Sequence, residues 1–121
     1  MPLSSVFKAS AVVLIGNGLF GLLMTDTFMT LAGFTLTPDL HTLCQFTGAT
    51  LIICGIIAWK IVDLAGENLP AFGRLYALAE GLWTAIIGYH VITGAAQGST
   101  AVGNLFVSAT FTVLFYLKSR E

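Results

Sequence analysis

The sequence predicts an all-α membrane domain: an antiparallel four-helix transmembrane bundle with its N and C termini cytoplasmic. Three observations predict it. Only 9% of the 121 residues are charged and 56% are hydrophobic, where a soluble domain carries about 25% charged residues. Four apolar stretches approach the roughly 20 residues that a helix needs to cross hydrocarbon. All five basic residues fall on one side when those stretches are threaded through a bilayer. The length suits a single four-span domain, residues 1–121.

The first span is read at 7–24, "FKASAVVLIGNGLFGLLM". A cleaved signal peptide would need a small-x-small pair soon after the apolar core, and none follows closely, so the stretch is read as a retained helix. The second span is 44–62, "CQFTGATLIICGIIAWKIV", the third 70–95, and the fourth 100–117, "TAVGNLFVSATFTVLFYL". Helix is the expected form because unpaired backbone is intolerable in lipid. The runs also lack the alternating polarity of barrel strands.

Orientation follows from the charges. Lys8 precedes the core of span one, Lys60 and Arg74 bracket the 63–69 connection, and Lys118 and Arg120 follow span four. The connections 25–43 and 96–99 contain no Lys or Arg. The positive-inside rule makes the basic side cytoplasmic, and Trp59, Tyr76 and Tyr116 fall where an aromatic belt is expected on that side. Pro70 suits a first helical turn. "AQGS", 96–99, reads as a tight outer turn. The longer outer connection reads as a cap at the interface, with Asp26 starting a short helix that carries Phe28, Met29 and Leu31.

Small residues allow helices to approach closely in lipid. Ala77, Gly81 and Ala85 recur every four residues in span three, with Gly88 near the same face. Gly48 and Gly55 share a face of span two, Gly18 and Gly21 lie in span one, and Gly103 and Ala109 in span four. Asn17 sits mid-span. Asn104, Ser108 and Thr112 form a polar stripe at four-residue spacing. Such groups are expected to hydrogen-bond across helices.

Two ionisable residues stand inside the third span. Glu80 lies six residues beyond Arg74, about 9 Å deeper, and an ionised carboxylate in hydrocarbon must be paired, neutral or reached by water. Lysines from other spans are its expected partners, and a proton or cation relay is the functional reading. His90 lies about 15 Å further along and about 80° around the helix, which excludes a Glu–His couple on one helix. A haem or chlorophyll ligand is the sharp reading of His90, and an interhelical hydrogen bond the bland one. Asp26, Asp39 and His41 share the outer connection without a metal-ligand spacing, so no metal is expected.

The rest of the sequence excludes function classes. Cys44 and Cys54 are about 15 Å apart on one helix and cannot bridge each other. The net charge is −1 with scattered basic residues, so no nucleic-acid partner is expected. No P-loop, dinucleotide fingerprint, HExxH or nucleophile–base motif is present, so no enzymatic activity is expected.

From 38 to 118 the layout resembles the DoxX-like class of small four-helix bacterial membrane proteins. The resemblance rests on "TPDLHTL", "QFTGATLIICGIIAW", "DLAGENLPAFGR" and "GAAQGS". That class often begins its second span with a charged residue, where this chain has Gln45. The resemblance implies an up-down bundle and a link to redox or quinone biology in the bacterial inner membrane. Small multidrug-resistance transporters match less well, because span one here has no glutamate. Three functional expectations result: an accessory or assembly subunit of a larger membrane complex, a redox- or quinone-linked protein, and a dimeric small-ion or proton transporter using Glu80. Bound lipid, and either other membrane subunits or self-association, are the expected partners.

Overall fold

A computed structural model describes residues 1–121 as helices joined by short connections. They are α1 (Leu3–Leu23), α2 (Thr25–Leu31), α3 (Pro38–Leu64), a 3-10 turn (Gly66–Asn68), α4 (Leu69–Ile92) and α5 (Ser99–Lys118). Four are long and apolar enough to cross a bilayer, the arrangement of a small polytopic membrane protein. Only 22 of 121 residues are buried, and the uncovered surface carries leucine, isoleucine, phenylalanine and tryptophan. A surface of that kind is matched to hydrocarbon rather than to water.

The boundaries depart from the sequence expectation where capping chemistry intervenes. α3 starts at Pro38, six residues before 44, because Thr37 Oγ1 accepts the Leu40 N–H at 3.2 Å and Pro38 occupies the first turn. α4 ends at Ile92 rather than 95, and the connection to α5 runs through the positive-φ glycines Gly94 and Gly98. The short outer helix exists, but Asp26 lies in its first turn without capping it. Thr25 turns its hydroxyl back onto the Gly21 carbonyl at 2.8 Å.

The long helices associate chiefly as two pairs, α1 with α3 and α4 with α5. Glycine makes the first pair. A Cβ on Gly18 would stand 2.6 Å from the Gly48 carbonyl oxygen, and one on Gly55 would stand 2.9 Å from the Ala11 carbonyl oxygen. Backbones therefore touch along this seam, and its contacts run in opposite numerical order: Ala11 with Gly55, Gly18 with Gly48, Gly21 with Cys44. α4 and α5 meet in the same reversed order, Gly73 with Ser119, Gly81 with Thr112, Gly88 with Leu105.

The small-residue face of α4 is shifted from the expected one. Ala77, Gly81 and Gly88 are partly covered, but Ala85 is exposed. Four-residue steps drift by about 40° each, so Ala85 lies about 80° from Ala77, while Thr84 lies within about 20° of it. Thr84 takes the inward place. Gly73, one step before Ala77 in the same series, is buried against Leu3 and Ser119. On α5, Ala109 is partly covered, whereas Gly103 has no atom within 4 Å of where its Cβ would be.

The densest packing lies at the end that holds both termini. Val6, Phe7, Ala11, Ala58, Phe111 and Phe115 form the buried core there. Phe7 meets Phe115 and Tyr76 edge-on, at ring-centroid distances of 4.8 and 4.9 Å. Tyr76 is thus partly buried against the core. Trp59 and Tyr116 stay at the surface, each beneath a cation, Lys8 and Arg120 respectively.

Candidate functional site

Above the aromatic floor the two helix pairs stand apart. A cavity of about 560 Å³ lies between them, within the size range of small-molecule sites. Its walls come from all five α-helices and are mostly apolar: Val13 and Leu14 on α1, Leu51 on α3, Ile87 on α4, Val107 and Phe111 on α5. Phe28, Met29 and Ala32 of α2 close the end away from the termini. Phe28 is held there by an edge-on contact with Phe20 at 5.3 Å. Small residues opposite α2, among them Ala96, Thr100 and Ala101, leave the space open.

The cavity is half enclosed. α3 and α4 scarcely touch. Among the exposed residues of the lining, Thr47 on α3 and Trp83, Ile86 and His90 on α4 mark a mouth on that flank, while Phe34 and Ala95 lie at the end covered by α2. α3 and α4, which flank this mouth, are both long enough to span a bilayer.

α4 places Glu80 eleven residues past its first residue, about 16 Å along, close to the middle of the helix. This is deeper than distance from Arg74 alone implied. The residue is 9% exposed. The expected lysine partner is absent: the ion pairs of the chain are His41–Asp26, Lys60–Asp63 and Lys118–Glu121. Lys8 instead lies over the Trp59 ring, 5.3 Å from its centroid. The side chain that bears on the Glu80 carboxyl is Ser10, across on α1. Ser10 is 1% exposed, and its Oγ is the one buried side-chain polar atom without a hydrogen-bond partner. Both residues line the cavity.

Asn17, Thr47, Asn104 and Ser108 of the lining bond to protein. Asn17 Nδ2 donates to Asn104 Oδ1 at 3.0 Å, joining α1 to α5. Thr84 Oγ1 reaches Ser108 Oγ at 3.0 Å and Thr112 Oγ1 at 3.3 Å, so the α5 stripe is tied to α4. Ser108 and Thr112 also donate to the Leu105 and Ser108 carbonyls. His90 lies in the last turn of α4, its ring edge-on to Tyr89 at 5.3 Å. Glu80 and His90 do not couple, yet both line one cavity at positions about 15 Å apart along α4.

Of the groups that the sequence pointed to, Glu80, His90, Asn17, Asn104 and Ser108 line one space, while Thr112 binds beside it. Gly18, Gly21, Gly48 and Gly55 belong to the α1–α3 seam. Sequence reasoning missed Ser10, Thr84 and Trp83. The signal for Ser10 was a hydroxyl inside "KASAVV", and for Thr84 its seven-residue offset from Ala77. No group of three His, Cys, Asp or Glu side chains lies close enough to hold a metal. The chain matches no family model, no curated protein and no solved structure.

Proposed function

We propose that this chain is an antiparallel four-span bundle of the bacterial inner membrane, both termini cytoplasmic, whose cavity holds a small lipophilic molecule with a polar head. The observation that carries this reading is the half-open apolar cavity with a buried carboxyl inside it that has no cationic partner. Reversed contact order in both helix pairs supports the antiparallel arrangement. The lack of Lys or Arg in the outer connections supports the orientation. The likeness to DoxX-like proteins, with their link to lipophilic redox molecules, points the same way. Native mass spectrometry of mildly solubilised protein tests the reading. A small-molecule adduct is expected on the wild type and is expected to be lost from Ala101→Phe, which fills the cavity. An adduct that survives Ala101→Phe unchanged would place the molecule elsewhere.

A second reading, an accessory subunit of a larger membrane assembly, is favoured by Gly16 and Gly103. Both are exposed, and both leave open space where a side chain would be. A helix of another subunit would approach closely at such positions. Copurification of a membrane partner that is lost on Gly103→Leu would support this reading. Recovery of the chain alone, with intact fold, would count against it.

A further inference from the structure

The polar groups of the cavity divide into those already bonded and those left over. Asn17 and Asn104 bond to each other, and Ser108 both accepts from Thr84 and donates to the backbone. Left over at the floor is the Ser10 hydroxyl, which has no hydrogen-bond partner, beside the Glu80 carboxyl, which has no cationic partner. They face one another across α1 and α4 at mid-helix depth, with the floor aromatics Tyr76, Phe7 and Phe111 beneath and an apolar chamber above. A buried polar group without a partner is unfavourable, and a carboxylate without a counter-charge more so.

The missing partner must supply hydrogen-bond donors to a carboxylate, accept or donate one bond at Ser10, and present an apolar body to the walls. A quinone supplies acceptors only. An alkyl or arylalkyl ammonium supplies donors and a compensating positive charge, and its hydrocarbon part suits the chamber. Resting on the reading of this cavity as a ligand site, we propose that its floor recognises the ammonium group of a lipophilic primary amine. Glu80 accepts from the ammonium, and Ser10 provides a second hydrogen-bonding oxygen. The amine enters from the lipid side, past Trp83, with its head leading. The 15 Å between the levels of Glu80 and His90 sets the length of apolar body that the chamber accommodates.

The test compares 4-phenylbutylamine with its neutral counterpart 4-phenylbutan-1-ol. Binding to the full chain in lipid nanodiscs is measured by calorimetry, with empty nanodiscs subtracted. The amine is expected to bind the wild type and to bind Glu80→Gln about 30-fold or more weakly, as when one partner of a buried charge pair is removed. The alcohol is expected to bind both proteins alike. Ser10→Ala is expected to weaken the amine about fivefold, and it carries the test if Glu80→Gln does not fold. If the alcohol binds while the amine is indifferent to both substitutions, the cavity reading stands and the amine proposal falls. If ubiquinone-1 binds with the same Glu80 dependence as the amine, the proposal falls to a quinone. If no probe binds the wild type, the ligand-site reading itself falls.

Discussion

Asn17 and Asn104 meet across the cavity at 3.0 Å, each the other's side-chain partner, and so join the α1–α3 pair to the α4–α5 pair. Above the aromatic floor this is the polar tie between the two pairs. Replacing Asn104 by Leu is expected to destabilise the fold by about 1 kcal/mol, because Asn17 then faces an apolar cavity unpaired. The double substitution Asn17→Leu/Asn104→Leu is expected to recover part of that loss. A double-mutant cycle on reversible unfolding in detergent measures the coupling, and strict additivity would show that the bond contributes nothing.

Gly18 and Gly16 lie two residues apart on α1 and should behave oppositely. A methyl at Gly18 meets the Gly48 carbonyl and Ile52, whereas one at Gly16 meets nothing within 4 Å. Gly18→Ala is expected to destabilise by about 1–3 kcal/mol, the usual range for overpacking. Gly16→Ala should be neutral in the isolated chain. Thermal unfolding in one detergent compares them, and equal melting temperatures would refute the backbone seam.

The α2 cap is latched from the α4–α5 turn. Gln97 N–H donates to the Ala32 carbonyl at 2.9 Å, and Gly98, at φ 90°, has no room for a Cβ, which would meet the Leu31 carbonyl oxygen. Gly98→Ala combines a left-handed backbone with a clash against Leu31, so α2 must lift. Faster hydrogen exchange is expected across residues 25–34 and unchanged exchange in the α1–α3 seam. Exchange that rises uniformly along the chain would mean global loosening instead.

A mouth between α3 and α4 that opens to lipid, as the proposed function requires, makes a chemical prediction about Glu80. A lipophilic carbodiimide, dicyclohexylcarbodiimide, should modify Glu80, while a water-soluble carbodiimide should modify Asp63 and Glu67 at the surface and spare it. Peptide mass spectrometry after brief labelling reads the pattern. Glu80 reacting with the soluble reagent as fast as Asp63 would place it in water and exclude a mouth that opens only to lipid.

Much of the architecture was legible, because spans announce themselves by length and composition. The four stretches and the short outer helix fall on observed helices, and the six-residue error at Pro38 came from reading Thr37–Pro38–Asp39 as loop rather than cap. The cavity was not legible. It arises where the small side chains of α5 and the outer turn face α1 and α2, and one helix's pattern does not say which face meets which. Glu80 was visible as a residue, but its neighbour was misread. A lysine on the same side of the membrane looked closer than a serine across the bundle, since side can be read from charge asymmetry and azimuth cannot. The glycines show the same limit. Spacing marked Gly18 and Gly48 as small, yet only contact reveals that these two touch while Gly103 touches nothing.

The pairing of helices two by two also says how the molecule should come apart. A chain extracted from a membrane by its C-terminus loads α5 and α4 first, and that pair shares few contacts with α1 and α3 beyond the aromatic floor and the Asn17–Asn104 bond. Once those and the Gln97–Ala32 latch give way, the α1–α3 pair still holds its own backbone seam. Mechanical extraction should therefore proceed in two large steps of about two helices each, with the glycine-seamed half as the last anchor left in the bilayer.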